Sequence, residues 1–414
     1  MNAPVTLEPL GDPWTTPLDR IDVADSRLFQ DDIWYDWFTR LRRDDPVHFT
    51  AESQFGPYWS VTRYKDIMHV ETRPEVFSSA HGITLFDQAE QFRLPMFIAM
   101  DPPKHDVQRN VVAPIVAPDN LARMAGTIRE RVGKILDELP RNETFDWVER
   151  VSIELTTQML ATLFDYPFER RRDLTYWSNV AITNFADPDA LVKTEEERFA
   201  ELSKMVAAMM VLWNERVNAP PRPDLISMLA HGESTRNMDP MEFMGNCVLL
   251  IVGGNDTTRN SISGGLWALH NFPDEYRKLR ENPGLIPSMV PEIIRWHTPI
   301  GYMRRTALSD YELGGKTIRA GEKVAMWYIS GNRDPEAVAE PDRFIIDRPR
   351  PRQHLSFGFG IHRCVGNRLA ELQLTILWEE ILKRFPVIEV VEKPKRVYSA
   401  FVHGITSMMV RIPG

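Results

Sequence analysis

Cys364 is one of only two cysteines in the 414-residue chain, and it stands in the stretch HLSFGFGIHRCVGN between Gly358, Gly360 and Gly366. The residues that follow it, VGNRLAELQLTIL, carry the apolar spacing of an amphipathic helix. The sulfur therefore sits at or just before a helix N-terminus, where the dipole and free N–H groups lower a thiol's pKa. The glycines let the backbone fold tightly around the sulfur and donate N–H bonds to it. A thiolate so placed can serve as a nucleophile or as a metal ligand. As a nucleophile it needs a base, yet His362, two residues away, has poor geometry for a dyad and no third group orients it. Zinc needs three more Cys or His ligands at short spacing, and the loop offers at most one. A dinucleotide loop follows a strand with GxGxxG, and here the third glycine comes six residues after the second. There remains a lone axial thiolate, which needs a metal whose other ligands come from a cofactor. Haem meets that requirement with its four porphyrin nitrogens.

A second cluster lies at Gly253-Gly254-Asn255-Asp256-Thr257-Thr258. It follows the apolar run CVLLIVGG inside a predicted helix from Asp239 to about His270. Asp239 is the expected N-cap, Pro240 the first helical residue, and Glu242 the third-position acid of a capping box. At ~1.5 Å per residue this helix is roughly 45–50 Å long, and its apolar centre places it through the core. Glycine costs about 1 kcal/mol relative to alanine in a helix interior. The Gly-Gly-Asn-Asp-Thr run therefore reads either as a kink or close packing, or as a groove where a ligand touches the backbone.

The elements that must carry these clusters are mostly helical. Apolar spacing predicts helices over 33–41, 121–139, 147–163 and 195–217, with β-like runs at 58–61, 323–327 and 405–412. The fold class is mainly α with small β-sheets. Length permits several domains, but no linker is visible, and residues 1–414 are read as one haem domain with residues 1–30 a proline-rich arm. The net charge of −9 argues against a nucleic-acid partner. The N-terminus lacks the basic and apolar regions of a secretion signal. The longest uncharged stretch near the middle, 243–255, is too short to span a bilayer, and low cysteine use fits the cytoplasm. Cys247, within the apolar run, reads as inert core.

The segment FGFGIHRCVG, Phe357–Gly366, resembles the haem-binding loop of the cytochrome P-450 family, and the resemblance runs from about Asp31 to Pro413. It implies haem b held between the long helix and the cysteine-loop helix. Cys364 would be the proximal ligand, Phe357 its shield, and Gly358 and Gly366 part of the cradle. Gly253–Thr257 would be the oxygen-activating segment, with Asp256 and Thr257 as a proton relay. His105, Arg109, Arg305 and His362 would meet the propionates. Glu292 and Arg295 match the family's E-x-x-R pair, and Pro341-Asp342-Arg343-Phe344 would bring Arg343 into a buried triad with them. Pro291 beside Glu292 means that this helix is kinked or only begins there.

The implied reaction is a monooxygenation with O2 as co-substrate. No flavin or iron–sulfur segment exists in the chain, so electrons come from outside. Arg348, Arg350, Arg352, Arg363 and Arg368 bracket the cysteine loop as a positive cluster suited to an acidic [2Fe-2S] ferredoxin with its reductase. Further stretches, among them GPYWSVTRY and LPMFIAMDPPKHDVQR, are similar to the soluble bacterial alkane-hydroxylating branch, which implies terminal hydroxylation of medium-chain linear compounds. The candidate channel is apolar: Ile83, Leu85, Phe86, Leu94, Met96 and Phe97 on one side, Leu249, Val252, Gly253, Met303, Phe401 and Val402 on the other. It shows no anchor for a charged group. The alternatives are a monooxygenase of a terpene or fatty acid, or a haem-thiolate sensor that would not need Asp256 and Thr257.

Overall fold

The computed structural model describes residues 10–414. Its spine is the helix Pro240–Asn271, whose N-cap Asp239 accepts the N–H groups of Met241 at 2.8 Å and Glu242 at 3.0 Å. Glu242 does not close a capping box. Its carboxylate turns instead to Lys104 at 2.7 Å and to Gln108, tying the start of the spine to the helix Lys104–Val112. Most of the spine is buried against Glu154–Phe164, Arg172–Ile182, Glu195–Val217 and Ile286–His297. The last of these comes so close that a Cβ on Gly264 would fall 2.2 Å from the His297 ring. Only glycine permits that approach.

The predicted helices are present as Trp34–Asp44, Pro118–Asp137 and Glu195–Val217. The helix expected over 147–163 opens as a wide π-type turn, Val148–Ile153, before continuing as α-helix through Phe164. Pro291 lies inside Ile286–His297, so the helix does not begin there. Pro291 is the sixth residue of that helix, so the Pro287 carbonyl goes without its i→i−4 partner.

Five short strands make the main sheet: β1 (Val47–Thr50), β2 (Tyr58–Val61), β3 (Phe77–Ser78), β4 (Met303–Ala307) and β5 (Lys323–Met326). Their order is β1-β2-β5-β4-β3, with β2 and β5 parallel and Trp59 opposite Val324. The sheet thereby joins the two ends of the chain and holds β4, with Met303 and Arg305, beside the central cavity. The C-terminal run is split into Ile405–Ser407 and Met409–Arg411, with Met408 fully buried between them.

The expected N-terminal arm is shorter than 30 residues. Ile21, Val23, Ala24, Leu28 and Phe29 are buried with Tyr58 and Trp327, because that run is apolar enough to join a core. Residues 10–20 remain largely exposed, and residues 1–9 of the arm lie outside the described residues.

Candidate active site

A cavity of about 1260 Å³ lies between the spine and the cysteine loop. The loop is shaped by Gly358 and Gly360, both at φ +67°, and a Cβ on Gly360 would stand 2.3 Å from the carbonyl oxygen of Glu71. The Cys364 N–H donates to the Phe357 carbonyl at 2.8 Å, and Cys364 lines the cavity three residues before the helix Asn367–Arg384. The expectation of a lowered thiol pKa is reversed. Burial pushes Cys364 up, against the opposing pull of the Gly366 and Asn367 N–H groups and of Arg109 and Arg363. Gly358 gives its N–H to the Leu355 carbonyl at 2.7 Å, not to sulfur. A thiol held in this way ionises on binding a metal, whose charge outweighs the desolvation.

The rings of His105 and His362 meet edge to face at 4.3 Å, and of the two His362 lines the cavity. His105 Nδ1 is bonded to Asp106 at 2.7 Å and His362 Nε2 to the Ser79 hydroxyl at 2.9 Å. His105 Nε2 and His362 Nδ1 are buried without partners. Burial, with Arg305, His105 and Arg109 nearby, pushes His362 down to about 2. Arg109 lines the cavity and donates to the Arg363 carbonyl. Arg305 also lines it, but its Nη2 is already paired with buried Glu71 at 2.7 Å. The orphaned His362 nitrogen and the Arg109 cation, both on the cavity wall, would suit the propionate carboxylates of a porphyrin ligated by Cys364, whereas the orphaned His105 nitrogen stands behind His362 and does not line the cavity. Among the described residues no group of three His, Cys, Asp or Glu is placed to hold a metal without such a macrocycle.

On the opposite wall, Gly253 and Thr257 face the cavity, and the Thr257 hydroxyl donates to the Gly253 carbonyl at 3.1 Å. Asp256 does not reach this wall. Its carboxylate accepts from the Ser178 hydroxyl at 2.5 Å and is paired with Arg259, which also holds Asn179 at 3.1 Å. The two relay candidates are adjacent in sequence but point to different faces of the spine, as consecutive helical residues must.

The buried triad forms with a different third member. Arg295 meets Glu292 at 2.7 and 2.8 Å, both fully buried. Arg348, not Arg343, completes it, with Nε 3.1 and 3.0 Å from the two carboxylate oxygens. The Arg343 side chain is exposed beside Glu340, and only its carbonyl joins the network. In that turn Phe344 takes the inward position, leaving its neighbour Arg343 outside. Arg348 is therefore unavailable to the positive surface cluster, and Arg352 is paired with Glu371 at 2.8 Å. Arg350, Arg363 and Arg368 remain exposed.

Ile83, Phe86, Leu94, Met96 and Phe97 line the cavity, as do Leu249, Val252, Met303 and Phe401. Leu85 and Val402 do not. Leu85 is fully buried with Tyr302 and Trp327, and Val402 is buried and bridges to Ile300. Sequence reasoning missed Phe185, Tyr302 and Arg198, which also stand on the wall. Phe185 and Arg198 come from the segment around 180–198, which carries no motif. Cys247 is buried and its thiol is pushed up by desolvation, as expected of inert core. No helix among the described residues is long and apolar enough to cross a membrane.

The family model for Cytochrome P450 matches residues 284–410. A linalool 8-monooxygenase from Pseudomonas putida is 36% identical over 408 residues, covering 95% of this chain and 99% of that protein. A methyl-branched lipid omega-hydroxylase from Mycobacterium tuberculosis is 31% identical, covering 95% of this chain and 96% of that protein. Among solved structures, cytochrome P450-153 from Novosphingobium aromaticivorans is 45% identical with a TM-score of 0.89, covering 97% of this chain and 99% of that one. CYP153D17 from Sphingomonas sp. PAMC 26605 is 49% identical with a TM-score of 0.90, covering 96% of this chain and all of that one.

Proposed function

The chain belongs to the cytochrome P450 family and is a haem b monooxygenase that consumes O2, and from that premise we propose that it hydroxylates the terminal carbon of linear medium-chain compounds, alkanes foremost. Bound haem supplies the iron at which O2 takes two electrons and two protons, one oxygen atom entering a C–H bond and the other leaving as water. The protein's own share is positioning. Cys364 would ligate the iron, and Arg109 and His362, with His105 behind it, would hold the propionates. The Thr257 hydroxyl presents an exchangeable proton at the cavity wall. Asp256 exchanges protons with that wall only by loosening its hold on Arg259, so it acts as a relay from the Ser178 side.

The observation that carries the substrate reading is the apolar wall formed by Leu249, Val252, Met303 and Phe401 in the cavity that Cys364 faces. Terminal C–H bonds are stronger than their secondary neighbours, so attack at the methyl end requires a wall that admits the methyl and holds the next carbons away. The resemblance to the alkane-hydroxylating branch and the omega-hydroxylase relative support this reading. A terpene is the second reading, favoured by the linalool 8-monooxygenase relative and by a 32% identical structure described in complex with pseudoionone. Electrons reach the haem from a [2Fe-2S] ferredoxin docking near exposed Arg350, Arg363 and Arg368. The test is product analysis with matched ferredoxin and reductase on hexane to dodecane and on linalool. Mainly 1-alcohols are expected. Mainly 2- and 3-alcohols from octane, or a clear preference for linalool, would overturn the terminal reading and leave the monooxygenase standing.

A further inference from the structure

Arg198 belongs to the first turns of the helix Glu195–Val217 and lines the cavity. Its guanidinium lies 4.0 Å from the Phe185 ring centroid and 5.9 Å from that of Phe86, two rings on the same wall. One N–H goes to the Thr183 carbonyl, and Nε is buried with no partner. Among the described residues no carboxylate stands within 4.0 Å of it. Glu195 is close enough to act on its charge, but that carboxylate accepts the Ala89 N–H at 3.1 Å.

The other arginines of this cavity are accounted for. Arg304 is paired with Asp87 at 2.5 Å and Arg305 with Glu71 at 2.7 Å. Arg93 is exposed to solvent, and Arg109 stands beside Cys364. Arg198 alone among them is half-buried against aromatic rings with no carboxylate in ion-pair contact. Burial pulls its pKa down to about 10. A desolvated cation is tolerated when a partner arrives to satisfy it.

We infer that Arg198 is a specificity-determining residue that pairs with the carboxylate of a linear fatty acid whose methyl end lies toward Cys364. This rests on the terminal-hydroxylation reading of the same cavity and extends it beyond alkanes: a chain already oxidised at its far end is also held, and its product is an ω-hydroxy acid. Arg198 is a charged group on a wall that the sequence reads as offering no charged anchor. The guanidinium fork suits a carboxylate bidentately, and the flanking rings of Phe185 and Phe86 fix its plane while excluding water. The rival account makes Arg198 a packing element held by the rings and the Thr183 carbonyl alone.

The experiment compares dodecanoate with its methyl ester, titrated into the haem-loaded enzyme and followed by the substrate-induced shift of the haem absorption band. In wild type the acid is expected to bind more tightly than the ester. Arg198→Gln is expected to reduce that acid-over-ester ratio by about tenfold or more, the worth of one charge-assisted hydrogen bond. Arg198→Lys should keep part of it. An equal affinity for acid and ester in wild type, or a ratio unchanged in Arg198→Gln, overturns the inference. If the glutamine variant does not fold, the wild-type ratio and the lysine variant decide. Product position separates the two claims. In-chain hydroxylation of dodecanoate with the ratio effect intact overturns the methyl-first orientation and the terminal reading, and upholds the carboxylate pairing.

Discussion

Thr257 and Asp256 are neighbours whose side chains do different work. The Thr257 hydroxyl is on the cavity wall and hydrogen-bonded only to the Gly253 carbonyl, so its removal leaves no buried charge unpaired. Thr257→Ala is expected to keep haem content and melting temperature while a larger share of electrons ends as peroxide. Equal coupling of electrons to product in the two proteins would sink its role in proton handling. Asp256→Asn takes the counter-charge from Arg259, buried beside it, and is expected to cost about 3–5 kcal/mol of stability as well as turnover. Denaturant midpoints measured alongside coupling separate the two effects. At this scale Cys364 was legible because a lone sulfur in a glycine loop fits few chemistries. The divergence of Asp256 from Thr257 was not, since the run Gly-Gly-Asn-Asp-Thr does not show which helix face meets the cavity.

The helix Ile286–His297 and the turn that follows Pro341 form one unit through Glu292, Arg295 and Arg348. Arg295 also binds the carbonyls of Asn332 at 2.9 Å and Pro341 at 2.7 Å, so the unit holds the approach to the cysteine loop. Arg348→Ala is expected to destabilise the protein by about 3–5 kcal/mol, because Glu292 keeps a buried charge with one partner fewer. Arg343→Ala should change stability by no more than about 0.5 kcal/mol, as befits an exposed pair. Urea denaturation and haem retention of the two variants test the assignment, and the reverse ranking would restore Arg343 to the triad. The family resemblance implied a third arginine and pointed to Arg343. The sequence alone did not show which one, because Arg343 and Arg348 sit in the same proline-rich loop and only burial distinguishes them.

Across the whole molecule, long amphipathic helices were readable and the wall of the cavity was not, because residues such as Phe185 and Arg198 meet it only through tertiary packing. One buried cluster sets an acid limit. His297 and His403 stack at 4.8 Å, His403 Nε2 lies 3.1 Å from Arg396, and Arg333 is close by, while Asp32 is paired with Arg396 at 2.8 Å. Burial, then Arg396, pulls His403 down to about 3, and burial pulls His297 well below its usual range. Unfolded histidine titrates near ~6.5, so below that pH the unfolded chain binds protons that the folded one refuses. The stabilisation is therefore complete above about pH 6.5 and is lost as pH falls through the window below it, at up to about 1.4 kcal/mol per unit for each ring. Urea midpoints should fall between about pH 6 and pH 5, and His403→Gln should flatten that slope. An unchanged slope in the variant would place the acid sensitivity elsewhere.

The cavity wall is gathered from Ser26 to Phe401, nearly the full span of the chain. A ribosome adds about 5–20 residues per second, so synthesis of 414 residues takes on the order of 20–80 s. For almost all of that time the pocket has no complete boundary, and β5 is not yet available to pair with β2 until most of the chain has emerged. Cys364 leaves the ribosome late, and Phe401 later still. Haem capture thus waits until Phe401 has emerged, and expression that outruns haem supply should accumulate colourless protein.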